Sequence, residues 1–396
     1  MRRALGWVVK LVVPPMIVLL LAAVIVPRFL DRIYYRGPDS GHFDGERFFN
    51  PDGDADTAGS PGGGSRAGFL WRQMTGSDDR PAWPASVPVR ASKPSARVTG
   101  DRMVATWIGH ASVLIQAGGL NILTDPIYAQ RAGPFGFGPQ RVAAPGVAFD
   151  DLPPIDLVVV SHNHYDHMDL PALKRLWDRD RPTIVTSLGN DAVIRSAGIP
   201  DGPAVQALDW SGTATIGGAA PATVSVVRNH HWGSRWFADR NRALWSAFVI
   251  RTPAGAIFFA GDTGMGDGRW PAEARAAAGP IRLALIPIGA FRFAPGQMAS
   301  GSHIGPVQAA KVHEALGAST SLPIHWGTFR LSYEAYQTPP RLLAATLRCT
   351  GQSGFPAWQI GRPVEIPTYR APTPSRGLTD AQVAACLDTP QVRALR

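Results

Sequence analysis

The sequence predicts an α/β protein built as an αββα sandwich, two β-sheets face to face with helices outside, behind one N-terminal membrane-anchoring helix. Three observations carry this. Short runs rich in Val, Ile, Phe and Trp recur from Met103 onward and end in Gly, Asp, Asn or His. Helical segments fall between them, and the second half repeats the strands-then-helix style of the first, a pattern that two stacked sheets covered by helices accommodate. The N-terminus holds a single long apolar run.

From Leu5 to Val26 the only charge is Lys10, and the stretch "IVLLLAAVIV" is long and apolar enough to cross a bilayer. Lys10 could snorkel to the headgroups, and Pro14 and Pro15 are tolerated in a membrane helix. A cleaved signal peptide is the competing reading, but no small-x-small site precedes a polar stretch; the run ends "VIVPRFLDR". Arg2, Arg3 and Lys10 before the core nearly balance Arg28, Arg32 and Arg36 after it, so the positive-inside comparison leaves the side open. A bacterial-type inner membrane with the body on the periplasmic side is the favoured placement.

The chain of 396 residues is 45% hydrophobic and 17% charged, with 42 Gly and 36 Pro. That mixture suits a loop-rich enzyme rather than a helical bundle or a disordered chain. The formal charge is +9, of which +5 lies in the first 36 residues. No Lys/Arg run with interleaved aromatics occurs in the body, so nucleic acid is not an expected partner. Nothing in the sequence sets an oligomeric state.

Residues 1–32 therefore read as the anchor and 33–100 as a linker and extension. Within the latter, "DTAGSPGGGSRAG" reads as a flexible tether, whereas the aromatic island "HFDGERFFNP" should pack on the body. Residues 101–370 form the expected domain. Its first set of strands is "MVATWIG", "SVLIQAG", "LNILTD", "DLVVVSH" and "PTIVTS"; its second is "TVSVVRNHH", "ALWSAFVIRT", "GAIFFAGDT", "LALIPIG" and "SLPIHWGT". Helices are expected at "DLPALKRLWDRD" and "GPVQAAKVHEALG", the latter with Pro306 in the first turn and an apolar stripe of Ala309, Val312 and Leu316. Residues 371–396 form a tail with a short helix from Thr379 to Leu387. Cys349 and Cys386 could pair outside the cytoplasm or stay free within it.

The chemistry concentrates in "SHNHYDHMD", residues 161–169, directly after the apolar run "LVVV". The continuous β-branched run should be a buried strand with His162 as its last residue. His162 and His164, two apart, can turn to the same side, and Asp166 and His167 can aim at a second point nearby. Neutral imidazoles and carboxylates are good ligands for zinc and similar divalent ions, and loops at the ends of a rigid sheet are where sites are usually built. Structural zinc sites are closed by four ligands and favour Cys, yet no Cys lies near these residues. That points to an open, catalytic centre and away from a non-catalytic, membrane-anchored envelope protein.

"SHNHYDH" resembles the metallo-β-lactamase superfamily signature. Further stretches are similar to its branch that hydrolyses N-acylphosphatidylethanolamine as a phospholipase D: "TWIGHASVLIQAGGLNILTDPIYAQRAGPFGFGPQR", "HHWGSRW", "FFAGDTG", His303-x-x-Pro306 and "IHWGTF". The likeness runs from about Phe43 to about Gln337. It implies two divalent metal ions, most readily Zn2+. His162, His164 and His231 would hold one and Asp166, His167 and His325 the other. Asp262 would bridge them together with a water or hydroxide. His231 is chosen over His230 because it directly precedes Trp232. Asp166 and His303 are implied as catalytic, with His303 at the substrate head, although a polar residue entering a helix is an ordinary thing. His110 is expected beside the ligands, and His313 and His42 as structural.

The implied reaction releases phosphatidic acid and an N-acylethanolamine from a phospholipid at the membrane. Phe137, Phe293 and Arg292 are the candidate substrate contacts, although the phenylalanines could equally close the core. A lactonase or a phosphodiesterase acting on a soluble substrate would share the same metal ligands.

Overall fold

A computed structural model describes residues 2–54, 80–200, 202–217, 221–236, 238–293 and 297–395; the expected tether lies outside them. The chain opens with helix α1 (Arg2–Leu30), which runs through Pro14, Pro15 and Pro27. Its Lys10–Leu30 stretch has a mean hydropathy of 2.3 and none of it is buried by the body. It is long and apolar enough to cross a membrane.

Two sheets follow. The first contains β1 (Met103–Gly109), β2 (Ser112–Ala117), β3 (Leu120–Thr124), β4 (Leu157–Val160), β5 (Thr183–Ser187), β6 (Val205–Leu208) and β13 (Pro363–Glu365), in the order β13-β1-β2-β3-β4-β5-β6. The second contains β7 (Thr213–Ile216), β8 (Ala222–Val227), β9 (Ala247–Thr252), β10 (Gly255–Phe259), β11 (Ile281–Pro287) and β12 (Thr320–Ile324), in the order β12-β11-β10-β9-β8-β7. Helices α2 (Leu170–Asp180) and α3 (Asn190–Arg195) connect the parallel strands β4, β5 and β6. Helices α4 (Trp270–Ala278) and α5 (Pro306–Leu316) connect the parallel strands β10, β11 and β12. The αββα sandwich is the observed architecture.

Strand β4 shows why "LVVV" belongs in the middle. Leu157 and Val159 join the core between the sheets, while Val158 and Val160 join the core under α2 and α3. Alternate residues of a strand face opposite ways, and a strand covered on both faces must be apolar throughout. His162 is not its last residue. The strand stops at Val160, and the Ser161 amide donates to Asp125 Oδ1 at 2.7 Å instead of continuing the ladder.

The segments flanking the two-sheet body, after α1 and at the C-terminus, are packed down. In the extension, Phe43 and Phe48, each 1% exposed, lie against Leu244 and Trp245. After α6 (Thr338–Thr350), the tail forms α7 (Asp380–Leu387) and α8 (Pro390–Arg393). Thr379 caps α7 by a reciprocal bond pair with Gln382. Val383 and Leu387 bury against Phe291, Leu342 and Ala345. Cys349 and Cys386 form a disulfide across a sequence separation of 37.

Replacing both cysteines by serine removes a cross-link worth up to about 4 kcal/mol of closure entropy. Limited trypsinolysis checks this: cleavage after the exposed Arg376 should accelerate roughly tenfold while the body stays intact.

Candidate metal centre

The polar residues of the motifs all leave the sheets at one end. Gly109, Thr124 and Val160 close β1, β3 and β4 at the same edge of the first sheet, and Val227, Phe259 and Ile324 close β8, β10 and β12 at the matching edge of the second. His110, Asp125, residues 161–169, His231, Asp262 and His325 follow directly. Three of them, His110, Asp125 and His325, hold positive φ values of 53, 30 and 62°. Such backbone is costly for non-glycine residues and persists where the surroundings over-determine it.

Two quartets of ligand atoms form there, each lying within 4.8 Å of one another: His162, His164, His231 and Asp262 in the first, and His110, Asp166, His167 and His325 in the second. Asp262 Oδ2 stands between them. It is 2.9 Å from His325 Nε2 and 3.1 Å from His167 Nε2 on one side. On the other it is 3.9 Å from His231 Nε2 and 4.0 Å from His162 Nε2. Asp166 Oδ2 lies 3.5 and 3.6 Å from His325 and His167 Nε2 and accepts from His110 Nε2 at 3.0 Å. The seven candidate ligands thus converge, and His110 stands beside them as Asp166's partner.

The rings are held from behind. His167 Nδ1 donates to Asp125 Oδ2 at 2.7 Å, His231 Nδ1 to Ser302 O at 2.9 Å and His325 Nδ1 to Gly289 O at 3.4 Å. His162 Nδ1 donates to Ser161 Oγ at 2.9 Å, and that hydroxyl donates on to Asp125 at 2.5 Å. In contrast, His231 Nε2 and Asp262 Oδ1 are buried with no hydrogen-bond partner, and His167 Nε2 and His325 Nε2 meet only carboxylate oxygens of the cluster itself. Buried polar atoms are ordinarily satisfied. Imidazoles fixed by one nitrogen with the other aimed at a common point are the arrangement a divalent cation requires, so these residues fit the expected ions.

The electrostatics fit as well. Burial drives His162 and His231 well below the ordinary histidine value and His164 to about 3, so these rings are neutral. Burial opposes charge on His325 and His167 too, but Asp262 and Asp166 outweigh it, lifting His325 to about 9 and His167 well above the usual range. Burial likewise opposes the carboxylate of Asp262, yet His167 and His325 hold it ionised. Without metal, charge on His167 and His325 offsets the buried carboxylates around them.

Other expected residues are placed as follows. His303, its side chain 11% exposed, faces Asp262 Oδ2 at 3.8 Å through Nδ1, with its ring 5.9 Å from that of Phe293. A tight approach fixes it: a Cβ on Gly264 would sit 1.8 Å from Gly301 O. Arg292 is not placed for an anionic head. The residue is 6% exposed, and its guanidinium donates to Gln297 O and Leu395 O at 2.8 and 2.9 Å, so it clasps the tail. Phe137 is exposed on a hairpin. His230 turns away to Asp52 at 3.0 Å, His42 pairs with Asp209 at 2.7 Å, and His313 is bonded to Ser321 and Ser353. Asp125 escaped the sequence reading. Its signal was the strand-ending "LNILTD", whose terminal carboxylate matches the pattern that picked out Asp262.

A family profile described as "Beta-lactamase superfamily domain" matches residues 120–326. The chain is 36% identical over 274 residues to an uncharacterized protein of Mycobacterium tuberculosis, covering 68% of this chain and 70% of that one. It is 32% identical over 306 residues to N-acyl-phosphatidylethanolamine-hydrolyzing phospholipase D 1 of Caenorhabditis elegans, covering 75% and 85%. Among solved structures, an isothiocyanate hydrolase from Delia radicum gut bacteria superposes with a TM-score of 0.51 at 19% identity, over 67% of this chain and 99% of that one; this likeness concerns the fold.

Two outcomes are expected. Asp125→Asn should weaken metal binding 10- to 100-fold with the fold retained, as read by chelator competition and circular dichroism. Metal binding at neutral pH should release about two protons, those of His167 and His325, so that affinity falls as pH falls. Calorimetry in buffers of different ionisation enthalpy measures this; no proton release would contradict it.

Proposed function

Because the chain belongs to the beta-lactamase superfamily of metal-dependent hydrolases, we propose that it is a phosphodiesterase of the phospholipase D type. It uses two divalent ions, zinc being best matched to a His and Asp donor set. Its substrates are phospholipids resembling N-acylphosphatidylethanolamine, and its products are phosphatidic acid and an N-acylethanolamine. The observation that carries this reading is the pair of ligand quartets meeting at Asp262 Oδ2. The substrate class is supported by the printed activity of the Caenorhabditis elegans relative.

Divalent ions bound there would lower the pKa of water and draw charge off the phosphoryl oxygens. The residues have their own tasks. Asp166, oriented by His110 Nε2, accepts the proton of the attacking water at Oδ2. Burial holds His303 at about 4, so at neutral pH its ring is uncharged and donates one N–H hydrogen bond. Nδ1 has no protein partner and is free to serve a phosphoryl oxygen or the departing head oxygen. The water oxygen bonds to phosphorus as the bond from phosphorus to the head-group oxygen breaks, and the proton taken up by Asp166 passes to that oxygen, which leaves as the alcohol. Phe293, beside His303, borders the substrate's apolar part.

The reading extends to location. α1 serves as a single-pass anchor and keeps the site where a lipid substrate lies, and the Cys349–Cys386 disulfide supports an oxidising, periplasmic side.

The test is metal analysis joined to a hydrolysis screen of N-acylated phosphatidylethanolamine against lactones and nucleotide diesters. Two metals per chain and release of the head alcohol are expected. His162→Ala and Asp262→Asn should lower turnover roughly a hundredfold or more, and His303→Ala about a hundredfold with metal content unchanged. Folded His162 and Asp262 variants that keep phosphodiesterase activity would sink the proposal.

A further inference from the structure

Beyond residue 33, the two most exposed large apolar side chains among the described residues are neighbours: Phe135 at 84% and Phe137 at 72%. A free loop would fold them under, since removing apolar surface from water is favourable. This loop is built so that it does not. Ala132 N donates to Pro139 O at 3.0 Å and Phe137 N to Pro134 O at 2.9 Å, while Arg131 donates to Gly138 O at 2.9 Å and to Gln140 Oε1 at 3.0 Å. The two arms touch backbone to backbone. A Cβ on Gly133 would lie 2.4 Å from Phe137 O, and one on Gly138 would lie 2.5 Å from Ala132 O. Phe135 itself holds a φ of 53°, an outlier for a bulky side chain. Residues 129–140 contain no acidic group. The tip is a fixed turn that presents two aromatic rings to the outside.

Its position is informative. The Phe135 ring lies 5.8 Å from that of Trp236, and Trp236 lies 6.2 Å from Tyr165, which sits in sequence between His164 and Asp166. The loop carrying Trp236 also receives the end of α1. Asp239 accepts from Ser234 Oγ at 2.6 Å and from the Trp236 amide at 2.8 Å, and it accepts from Tyr34 Oη at 2.8 Å. Arg242 grips Asp31, the first residue after α1, through two bonds of 2.8 Å. One short loop therefore ties together the exit of the apolar helix, the aromatic tip and the rim of the metal centre.

We propose that the 133–138 hairpin is a second membrane contact. Phe135 and Phe137 enter the headgroup–acyl boundary of the bilayer that α1 spans and turn the mouth of the centre toward the lipid surface. This rests on the membrane reading of α1. Aromatic side chains settle at that boundary, and a tip without carboxylates meets no repulsion from anionic lipid. Phe137 thus contacts the bilayer rather than a single bound substrate molecule.

The native cysteines are paired, so Phe137→Cys places one reactive thiol on the tip and Leu19→Cys places one in α1. Each full-length variant is labelled with nitrobenzoxadiazole and reconstituted in vesicles of phosphatidylcholine and phosphatidylglycerol containing nitroxide lipids. The label at 137 should shift to the blue and be quenched by nitroxides near the headgroup, and the label at 19 by nitroxides deep in the chains. Adding Phe135→Ser should reduce quenching at 137 roughly twofold and leave position 19 unchanged. Quenching at 19 with none at 137 overturns the hairpin contact alone. Quenching at neither position overturns the membrane reading together with it. Both results are independent of whether phospholipid is hydrolysed.

Discussion

A carboxylate buried at 1% exposure cannot remain ionised in a protein interior without compensating charge. Asp262 is such a group, and five imidazole nitrogens lie within 4.0 Å of its Oδ2. Two of those rings carry protons on its account, while the others stay neutral because burial dominates them. The same packing that makes the site expensive to keep empty makes it receptive to cations, since a divalent ion can replace a proton at each charged ring.

Holding so many rings on one point needs rigid support, and each element of the fold contributes. Asp125, at the end of β3, reaches the His162 ring through Ser161 and the His167 ring directly. Asn50 of the N-terminal extension donates to His231 O at 2.8 Å and accepts from Trp245 Nε1 at 3.1 Å. Ser302 holds the His231 ring and belongs to the same segment as His303. The extension, the two sheets and the 300–303 segment thus act on one set of side chains. The disulfide-linked tail clasps Arg292, eleven positions before His303, and so steadies that segment from the other end.

A strand that must be apolar on both faces, such as β4, announces itself as an unbroken Val and Leu run, and the ten main strands were legible because runs rich in Val, Ile, Phe and Trp end in Gly, Asp, Asn or His. The weaker elements were not. β6 and β7 are four residues each and only partly buried, and β13 is a three-residue strand that exists because β1 offers it an open edge. The candidate metal ligands were legible because imidazole and carboxylate at strand ends have few other reasons to cluster. Arg292 was misplaced because a long, flexible cation carries no sequence signal for direction; only the docked tail shows where its donors go. Asp125 was overlooked because an aspartate ending a strand resembles any turn aspartate until its partner is seen.

The residue order alone settles which chemistry is available: a His and Asp donor set at strand ends, an apolar helix ahead of it, and a two-sheet core to carry both. Those are local properties, set by side-chain type and period, and they survive without knowledge of distant contacts. Convergence on Asp262, the pairing of Cys349 with Cys386, and the shared loop joining α1 to the Phe135 hairpin come from contacts between residues far apart in the chain. Which of many possible long-range pairings is realised depends on packing both sheets at once, and no short stretch of sequence contains that information.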